Sequence, residues 1–248
     1  MNQDITFNIY VMSYKRADKI MTKNCLEFCT YVVREEEEQA YRDAGVEDLL
    51  IIPKGATIYG WPVCTFMTTL YWIIENTPDD VIFVADDDID RFCYRLNDTT
   101  PITADHFKDW KERTTDEIMR IGQELVDLNL GLAFDNPQPA LYVYDQEFSF
   151  KGMPGHVRWI NKKCLKAKLD FDDLATSDVD MCLQELLGNR IILLPKYFHS
   201  LGKISENKGG TTIDSEFYYK IRLALRNKWG RYFNFNFKKN TARINVKR

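Results

Sequence analysis

Three consecutive aspartates, Asp86, Asp87 and Asp88, are the residues of this sequence best suited to chemistry. They follow the apolar run 81–85, which is typical of a strand buried on both faces. Because alternate residues of a strand point the same way, we expect Asp86 and Asp88 to face one site. A divalent cation such as Mg²⁺ or Mn²⁺ would relieve the repulsion between clustered carboxylates and could bridge the oxygens of a diphosphate. The alternative is a solvated acidic turn that caps the next helix.

The elements that must position these aspartates alternate between strands and helices. The pattern predicts strands at 6–13, 30–33, 49–52, 81–85, within 141–150, at 156–161 and at 191–194, and helices at 17–29, 35–44, 64–76, 105–128, 177–187 and 215–229. This alternation predicts an α/β fold with a mainly parallel central sheet. The aspartates would then lie at the C-terminal end of a central strand, where open α/β sheets bind their ligands.

Composition and charge narrow the class of protein. With 248 residues, 45% of them hydrophobic and 28% charged, the chain matches ordinary globular proteins and one domain over 1–248 is expected. No apolar run approaches the roughly 18 residues of a membrane span, and the N-terminus lacks a basic leader, so we expect a cytoplasmic protein. The six cysteines have no paired CxxC spacing and are predicted to be free thiols.

The C-terminal part of the chain is basic, although the net charge of the whole is −4. Residues 203–248 contain 12 Lys and Arg against 3 Asp and Glu. The segment 231–248 also mixes cations with aromatic residues, as surfaces that bind nucleic acids do. Two alternatives remain, an ordinary solvated helix and tail, and an edge strand that buries Phe233, Phe235 and Phe237 on one face.

The order of motifs along nearly the whole chain resembles the GT-A glycosyltransferases. These motifs are Ser13 and Arg16 after the first strand, Arg34 after the second, ADDDID, SDVD at the start of a late helix, and His199 in a loop after the last strand. Within that superfamily the chain is most similar to the TET-associated glycosyltransferases of bacteriophages, relatives of the base J glucosyltransferase. Those enzymes add a sugar to a hydroxymethylated pyrimidine in DNA.

The resemblance implies one GT-A-like, Rossmann-like domain and a role for each matching residue. Residues 1–100 would bind the nucleotide sugar, 101–202 the acceptor, and 203–248 would form a basic lid, helix and tail. The implied metal ligands are Asp86, Asp88 and His199. The implied general base is Asp178, with Asp180 as a second candidate. The residues implied to bind the donor are Ser13, Arg16, Arg34, Asp86, Asp87, Lys203 and Lys208. Each has an ordinary alternative, such as helix capping for Ser177 and Asp178.

The expected function is therefore metal-dependent transfer of a sugar from a nucleotide sugar, a UDP-sugar above all, to a hydroxymethylated pyrimidine in phage DNA within the host cytoplasm. Three alternatives stay open. The acceptor could be a glycan, lipid or protein. Paired aspartates at a strand end also suit a nucleotidyltransferase or a metal-dependent phosphohydrolase. A non-catalytic DNA-binding module would fit the basic C-terminal part but would leave the clustered acids unexplained.

Overall fold

The computed structural model describes residues 5–96, 98–135, 146–170, 175–202 and 215–247. The strands are β1 (Phe7–Met12), β2 (Thr30–Arg34), β3 (Leu49–Ile52), β4 (Thr57–Ile58), β5 (Trp61–Pro62), β6 (Val81–Asp86), β7 (Ile89–Arg95), β8 (Thr99–Ile102), β9 (Leu132–Phe134), β10 (Phe148–Ser149), β11 (Val157–Asn161), β12 (Leu194–Pro195), β13 (Phe198–Gly202), β14 (Phe233–Asn236) and β15 (Thr241–Ile244). The α-helices are α1 (Glu38–Asp43), α2 (Phe66–Asn76), α3 (Trp110–Asp127), α4 (Asp178–Gly188) and α5 (Ser215–Trp229), and short 3₁₀ helices cover Thr22–Cys25, Glu35–Glu37 and Gly230–Tyr232.

The central sheet has the strand order β3-β2-β1-β6-β11-β9. The first four strands are parallel, whereas β11 runs antiparallel to both of its neighbours. In the register of β1 and β6, Met12 lies opposite Asp86, so the two strands end at the same edge of the sheet. The predicted α/β class with a mainly parallel sheet is confirmed.

Strand β6 lies in the middle of this sheet because apolar layers cover both of its faces. Residues 81–85 are at most 1% exposed. On one face, Ile82 and Val84 belong to an apolar cluster with Leu70 and Ile73 of α2. On the other, Phe83 packs edge-on against Trp159 in a cluster that includes α3. Burial on both faces fixes β6, so its terminal aspartates emerge at a defined point of the sheet edge.

A second, antiparallel sheet of order β13-β7-β8 adjoins the aspartates, and the sequence prediction missed it. Strand β7 begins directly after the aspartate turn, at Ile89, in a segment that carried no strand prediction. His199 lies inside β13, opposite Cys93, so its predicted position in a loop is wrong. The strand predicted at 191–194 is reduced to β12, which pairs antiparallel with β10, while Leu193 forms one parallel bridge to Ala133 of β9.

Two helix predictions need correction. Instead of a helix at 17–29 there is a single 3₁₀ turn, because the Thr22 N–H donates to the Asp87 carbonyl oxygen at 3.4 Å and not to the carbonyl four residues earlier. The Thr22 hydroxyl donates to the Asp86 carbonyl oxygen at 2.7 Å and accepts from the Ile89 N–H at 3.0 Å. The long helix predicted from residue 105 begins at Trp110. No described helix is long and apolar enough to cross a membrane.

Candidate active site

A cavity of about 370 Å³ opens at the C-terminal edge of the parallel strands. Six of the predicted site residues line it: Ser13, Arg16, Arg34, Asp86, Asp87 and Asp88. From β1 the chain continues through β2 and β3 on one side, while β6 lies on the other. The cavity therefore lies at the point where the strand order reverses, which is the usual ligand site of an open α/β sheet.

The three aspartates form the turn between β6 and β7, and they differ in exposure. The Asp86 and Asp88 side chains are 34% and 18% exposed, whereas the Asp87 side chain is 4% exposed. Asp87 is the buried one because its carboxylate faces Ser13 and Arg16. Asp86 and Asp88 are the two carboxylates that remain accessible to a ligand.

Asp87 links the aspartate turn to the loop that follows β1. Its Oδ2 accepts from the Ser13 hydroxyl at 2.5 Å, and its Oδ1 lies 2.5 Å from Arg16 Nη1. The Tyr41 hydroxyl lies 2.5 Å from Ser13 Oγ on the other side. Burial raises the pKa of the Asp87 carboxyl, and the Ser13 and Arg16 contacts oppose that rise. The carboxylate is thus occupied in holding Ser13 and Arg16 at the cavity, and its predicted contact with the ribose or sugar stays a prediction.

Asp86 has a buried cationic neighbour, Arg158, which the sequence prediction did not include. Arg158 Nη2 lies 3.6 Å from Asp86 Oδ1, and the Arg158 side chain is 2% exposed. Its guanidinium stacks on the Phe66 ring, 4.4 Å from the centroid. Burial raises the pKa of the Asp86 carboxyl to about 6; Arg158 opposes the rise, and Asp88 adds to it. The only sequence signal for Arg158 was a cation within the apolar segment HVRWIN.

The accessible carboxylates fit a divalent cation that is shared with a ligand. Among the described residues, no group of three His, Cys, Asp or Glu side chains is placed to hold a metal. Mg²⁺, however, is commonly bound by one or two carboxylates together with substrate phosphates and water. Asp86 and Asp88 supply hard oxygen ligands of that kind, and a cation would favour the ionised form of Asp86.

His199 does not join this group. It is 3% exposed, and its Nδ1 accepts from Arg95 Nε at 2.7 Å. Burial and the neighbouring Arg95 charge lower the pKa of His199 to about 3, so the imidazole is neutral at physiological pH. It is not among the residues that line the cavity. The three predicted metal ligands therefore do not form one cluster in the described part of the chain, and the role of His199 stays a prediction.

The two aspartates at the start of α4 have different surroundings. Asp180 is 1% exposed and accepts hydrogen bonds from Trp229 Nε1 at 2.7 Å and Gln184 Nε2 at 2.8 Å, with Lys228 Nζ 3.1 Å away. Asp180 thus ties α4 to α5. Asp178 is partly exposed, and its Oδ1 accepts from the Val179 N–H at 2.7 Å. Asp178 is better placed than Asp180 to accept a proton, although it does not line the cavity. The predicted lid residues Lys203 and Lys208 lie outside the described residues.

Further residues of the cavity wall were not predicted. Tyr14 is 38% exposed and has cations near its ring, with Lys15 Nζ at 4.9 Å and Arg34 Cζ at 5.8 Å. Such a ring offers a flat face for a nucleobase. The wall also includes Cys64 and Thr65 at the start of α2. Thr65 caps this helix, whose N-terminal N–H groups favour a negatively charged ligand.

Comparison with known proteins gives a structural similarity without a sequence match. No protein family matches the sequence, and no curated protein matches it either. Glucosyl-3-phosphoglycerate synthase from Mycobacterium tuberculosis, in complex with Mn²⁺, UDP-glucose and glycerol 3-phosphate, superimposes with a TM-score of 0.51 at 10% identity, over 97% of this chain and 87% of that one. A second structure of that synthase, with Mn²⁺, UDP-glucose and phosphoglyceric acid, superimposes with a TM-score of 0.50 at 11% identity, over 98% of this chain and 88% of that one. At such low identity these comparisons establish the shared fold alone.

Proposed function

We propose that this chain is a metal-dependent glycosyltransferase that uses a nucleotide sugar, most simply a UDP-sugar. One observation carries the proposal: a single cavity at the switch point of the sheet combines carboxylates for a cation with an aromatic ring and arginines for a nucleotide. The shared fold supports it, since both similar structures hold Mn²⁺ and UDP-glucose. In this assignment Tyr14 faces the base, Arg16 and Arg34 meet the ribose and phosphates, and Asp86 and Asp88 bind Mg²⁺ or Mn²⁺.

The chemistry follows from these positions. A cation bound at Asp86 and Asp88 would offset the negative charge of the departing diphosphate. Arg16 carries a fixed positive charge on the same side of the cavity, held there by Asp87. Asp178 would take the proton of the acceptor hydroxyl as that oxygen attacks the anomeric carbon and the bond to the diphosphate oxygen breaks. Lys203 and Lys208, which lie outside the described residues, stay predicted contacts of the diphosphate.

We extend the proposal to DNA with a hydroxymethylated pyrimidine as the acceptor, because the C-terminal surface is basic. Residues 215–247 contain nine Lys and Arg against Glu216 as the single acid. Two grooves meet here and share Arg231 and Asn245; Arg226 and Asn227 line one, and Arg190 and Lys247 the other. Exposed cations and amides of this kind suit phosphate contacts.

The C-terminal hairpin limits how this surface could contact DNA. Phe233 and Phe235 are 1% and 6% exposed, and Phe237 packs partly buried beside them, so the alternative of a strand with one buried face is correct. These rings are not available for base stacking, and binding would depend on the cations and amides and on Tyr232, which is 41% exposed and lines one groove. The Trp229 hydrogen bond to Asp180 attaches this region to α4, two residues from Asp178. DNA bound to the grooves would therefore lie along α4, whose first residue is the proposed base.

We expect Arg231→Glu to weaken DNA binding about tenfold at low salt and to reduce the slope of log K against log salt by about one, the contribution of one phosphate contact. The measurement is fluorescence anisotropy of a labelled duplex at several salt concentrations. Lys108→Glu, an equal charge change at an exposed site on another surface, is the matched control. DNA binding that is absent, or equally affected by both variants, would favour a glycan, lipid or protein acceptor.

Cys64 provides a probe of the cavity, since it is the exposed cysteine and lies in the cavity wall. We expect N-ethylmaleimide to label Cys64, and UDP with Mn²⁺ at about ten times its Kd to slow that labelling about tenfold by occupying the cavity. Peptide mass spectrometry would follow the modification, with Cys64→Ser as the unlabelled control. Labelling that UDP does not slow would place the nucleotide elsewhere.

The most direct test incubates the protein with a panel of nucleotide sugars, Mn²⁺ and DNA that contains hydroxymethylcytosine. Digestion to nucleosides and mass spectrometry would detect a glycosylated base. The released product also separates the enzyme classes, because a glycosyltransferase releases a nucleoside diphosphate, whereas a nucleotidyltransferase makes or consumes pyrophosphate. Pyrophosphate as the product would overturn the proposal.

A further inference from the structure

Arg158 is a buried cation behind the wall of the cavity. It lies in β11, between β6 and β9, and its Nη2 donates to the His156 carbonyl oxygen at 3.1 Å. Its Nε and Nη1 are buried without a hydrogen-bond partner among the described residues. Burying a guanidinium with two unpaired nitrogen atoms is unfavourable. An apolar side chain would satisfy the packing at this position, so the charge of Arg158 needs another explanation.

The charges around the aspartate turn suggest that explanation. Arg16 contacts Asp87 and approaches Asp88 within 3.6 Å, while Arg158 lies 3.6 Å from Asp86. When all three carboxylates are ionised, two arginines leave the turn with one net negative charge. That charge is small for a protein site that must bind a divalent cation in the absence of a nucleotide. No third protein ligand lies among the described residues.

We infer that Arg158 is a positioning residue that keeps the affinity of the free protein for the divalent cation low, so that the cation and the nucleoside diphosphate bind together. This inference rests on the function proposed above. It assigns the weak binding of the cation by the free protein to a side chain that contacts neither ligand and lies beside Asp86.

The physical reason is electrostatic. A divalent cation at Asp86 is repelled by the neighbouring guanidinium, whose charge is only weakly screened inside the protein. A nucleoside diphosphate brings additional negative charge and offsets this repulsion. Because coupling between two ligands is reciprocal, the cation must also strengthen binding of the diphosphate by the same factor.

The test is Mn²⁺ binding, followed through the electron paramagnetic resonance of free Mn²⁺, with and without UDP. For the wild-type protein we expect UDP to tighten Mn²⁺ binding by about tenfold or more. In Arg158→Met, which keeps an unbranched side chain over Phe66 but removes the charge, Mn²⁺ alone should bind about tenfold more tightly. Mn²⁺ should also bind more tightly to this variant when UDP is present, because the guanidinium repels the cation in both states. The inference would be overturned if Arg158→Met bound Mn²⁺ alone no more tightly than the wild type does.

Two controls separate charge from packing. Arg158→Lys keeps the positive charge and should bind Mn²⁺ alone as weakly as the wild type. Arg222→Met removes another stacked arginine with a buried unpaired Nε, over the Tyr218 ring and outside the cavity, and should not change Mn²⁺ binding. Circular dichroism and thermal melting would establish that each variant is folded.

Failure of the inference is distinguishable from failure of the proposed function. A folded wild-type protein that binds neither Mn²⁺ nor UDP contradicts the proposed function. A wild-type protein that binds both ligands, but Mn²⁺ equally well with and without UDP, overturns the role of Arg158 and leaves the proposed function intact. This measurement needs no variant, so it can overturn the inference even if Arg158→Met does not fold.

Discussion

Asp86→Ala and Asp88→Ala are each expected to reduce donor hydrolysis and sugar transfer by about 10³-fold or more, because each removes one of two accessible carboxylates for the cation that offsets leaving-group charge. Both side chains face the cavity and neither is part of the hydrophobic core, so the variants should remain folded. Activity would be measured as UDP release from UDP-sugars with and without acceptor. Circular dichroism would check the fold.

The control for this prediction is Asp90→Ala. Asp90 lies two residues after the turn, its side chain pairs with Arg91 at 3.4 Å, and it does not line the cavity. Its replacement should leave activity within a few-fold of the wild type. Chelation provides a second check, since EDTA should abolish activity and added Mn²⁺ should restore it. Full activity in EDTA would refute the metal assignment.

Asp178→Asn is expected to reduce the kcat of transfer about 10²- to 10⁴-fold, the usual contribution of a general base, while UDP binding and thermal stability stay near those of the wild type. The amide cannot accept the proton of the acceptor hydroxyl. Donor binding should persist because Asp178 does not line the nucleotide cavity. Rates with a saturating acceptor, together with titration of UDP in the presence of Mn²⁺, would check both parts.

Asp180→Ala is the matched comparison and should lower the stability of the protein rather than the kcat of transfer. It removes the buried partner of Trp229 and Lys228, and we expect a loss of about 2 kcal/mol in the free energy of unfolding and a Tm lower by about 4–8 °C. If Asp178→Asn transfers sugar at the wild-type rate, another group is the base, or the reaction retains the anomeric configuration and Asp178 only positions a hydroxyl.

Much of the cavity could be predicted from sequence because it is built from loops that follow strands. The run 81–85 is apolar throughout and must be buried, which fixes the position of Asp86. Ser13, Arg16 and Arg34 follow parallel strands whose C-terminal ends meet at one edge, so their convergence follows from the α/β pattern alone. These predictions needed local periodicity and a general rule of topology.

The remaining features depend on contacts between distant segments. Arg158 reaches Asp86 only because β11 pairs antiparallel with β6, and the sequence does not reveal that pairing. Asp178 and Asp180 could not be distinguished until the packing of α5 showed that Trp229 occupies one of them. The helix predicted at 17–29 failed because Thr22 bonds to the aspartate turn, a tertiary contact that overrides local propensity.

Thr22 has a consequence for the thermodynamics of ligand binding. One hydroxyl holds the backbone on both sides of the aspartate turn, at the Asp86 carbonyl and at the Ile89 N–H. Ordering a loop around a ligand normally costs conformational entropy at the moment of binding. Here that ordering takes place during folding, so a ligand that enters the cavity meets carboxylates whose main chain is already immobilised.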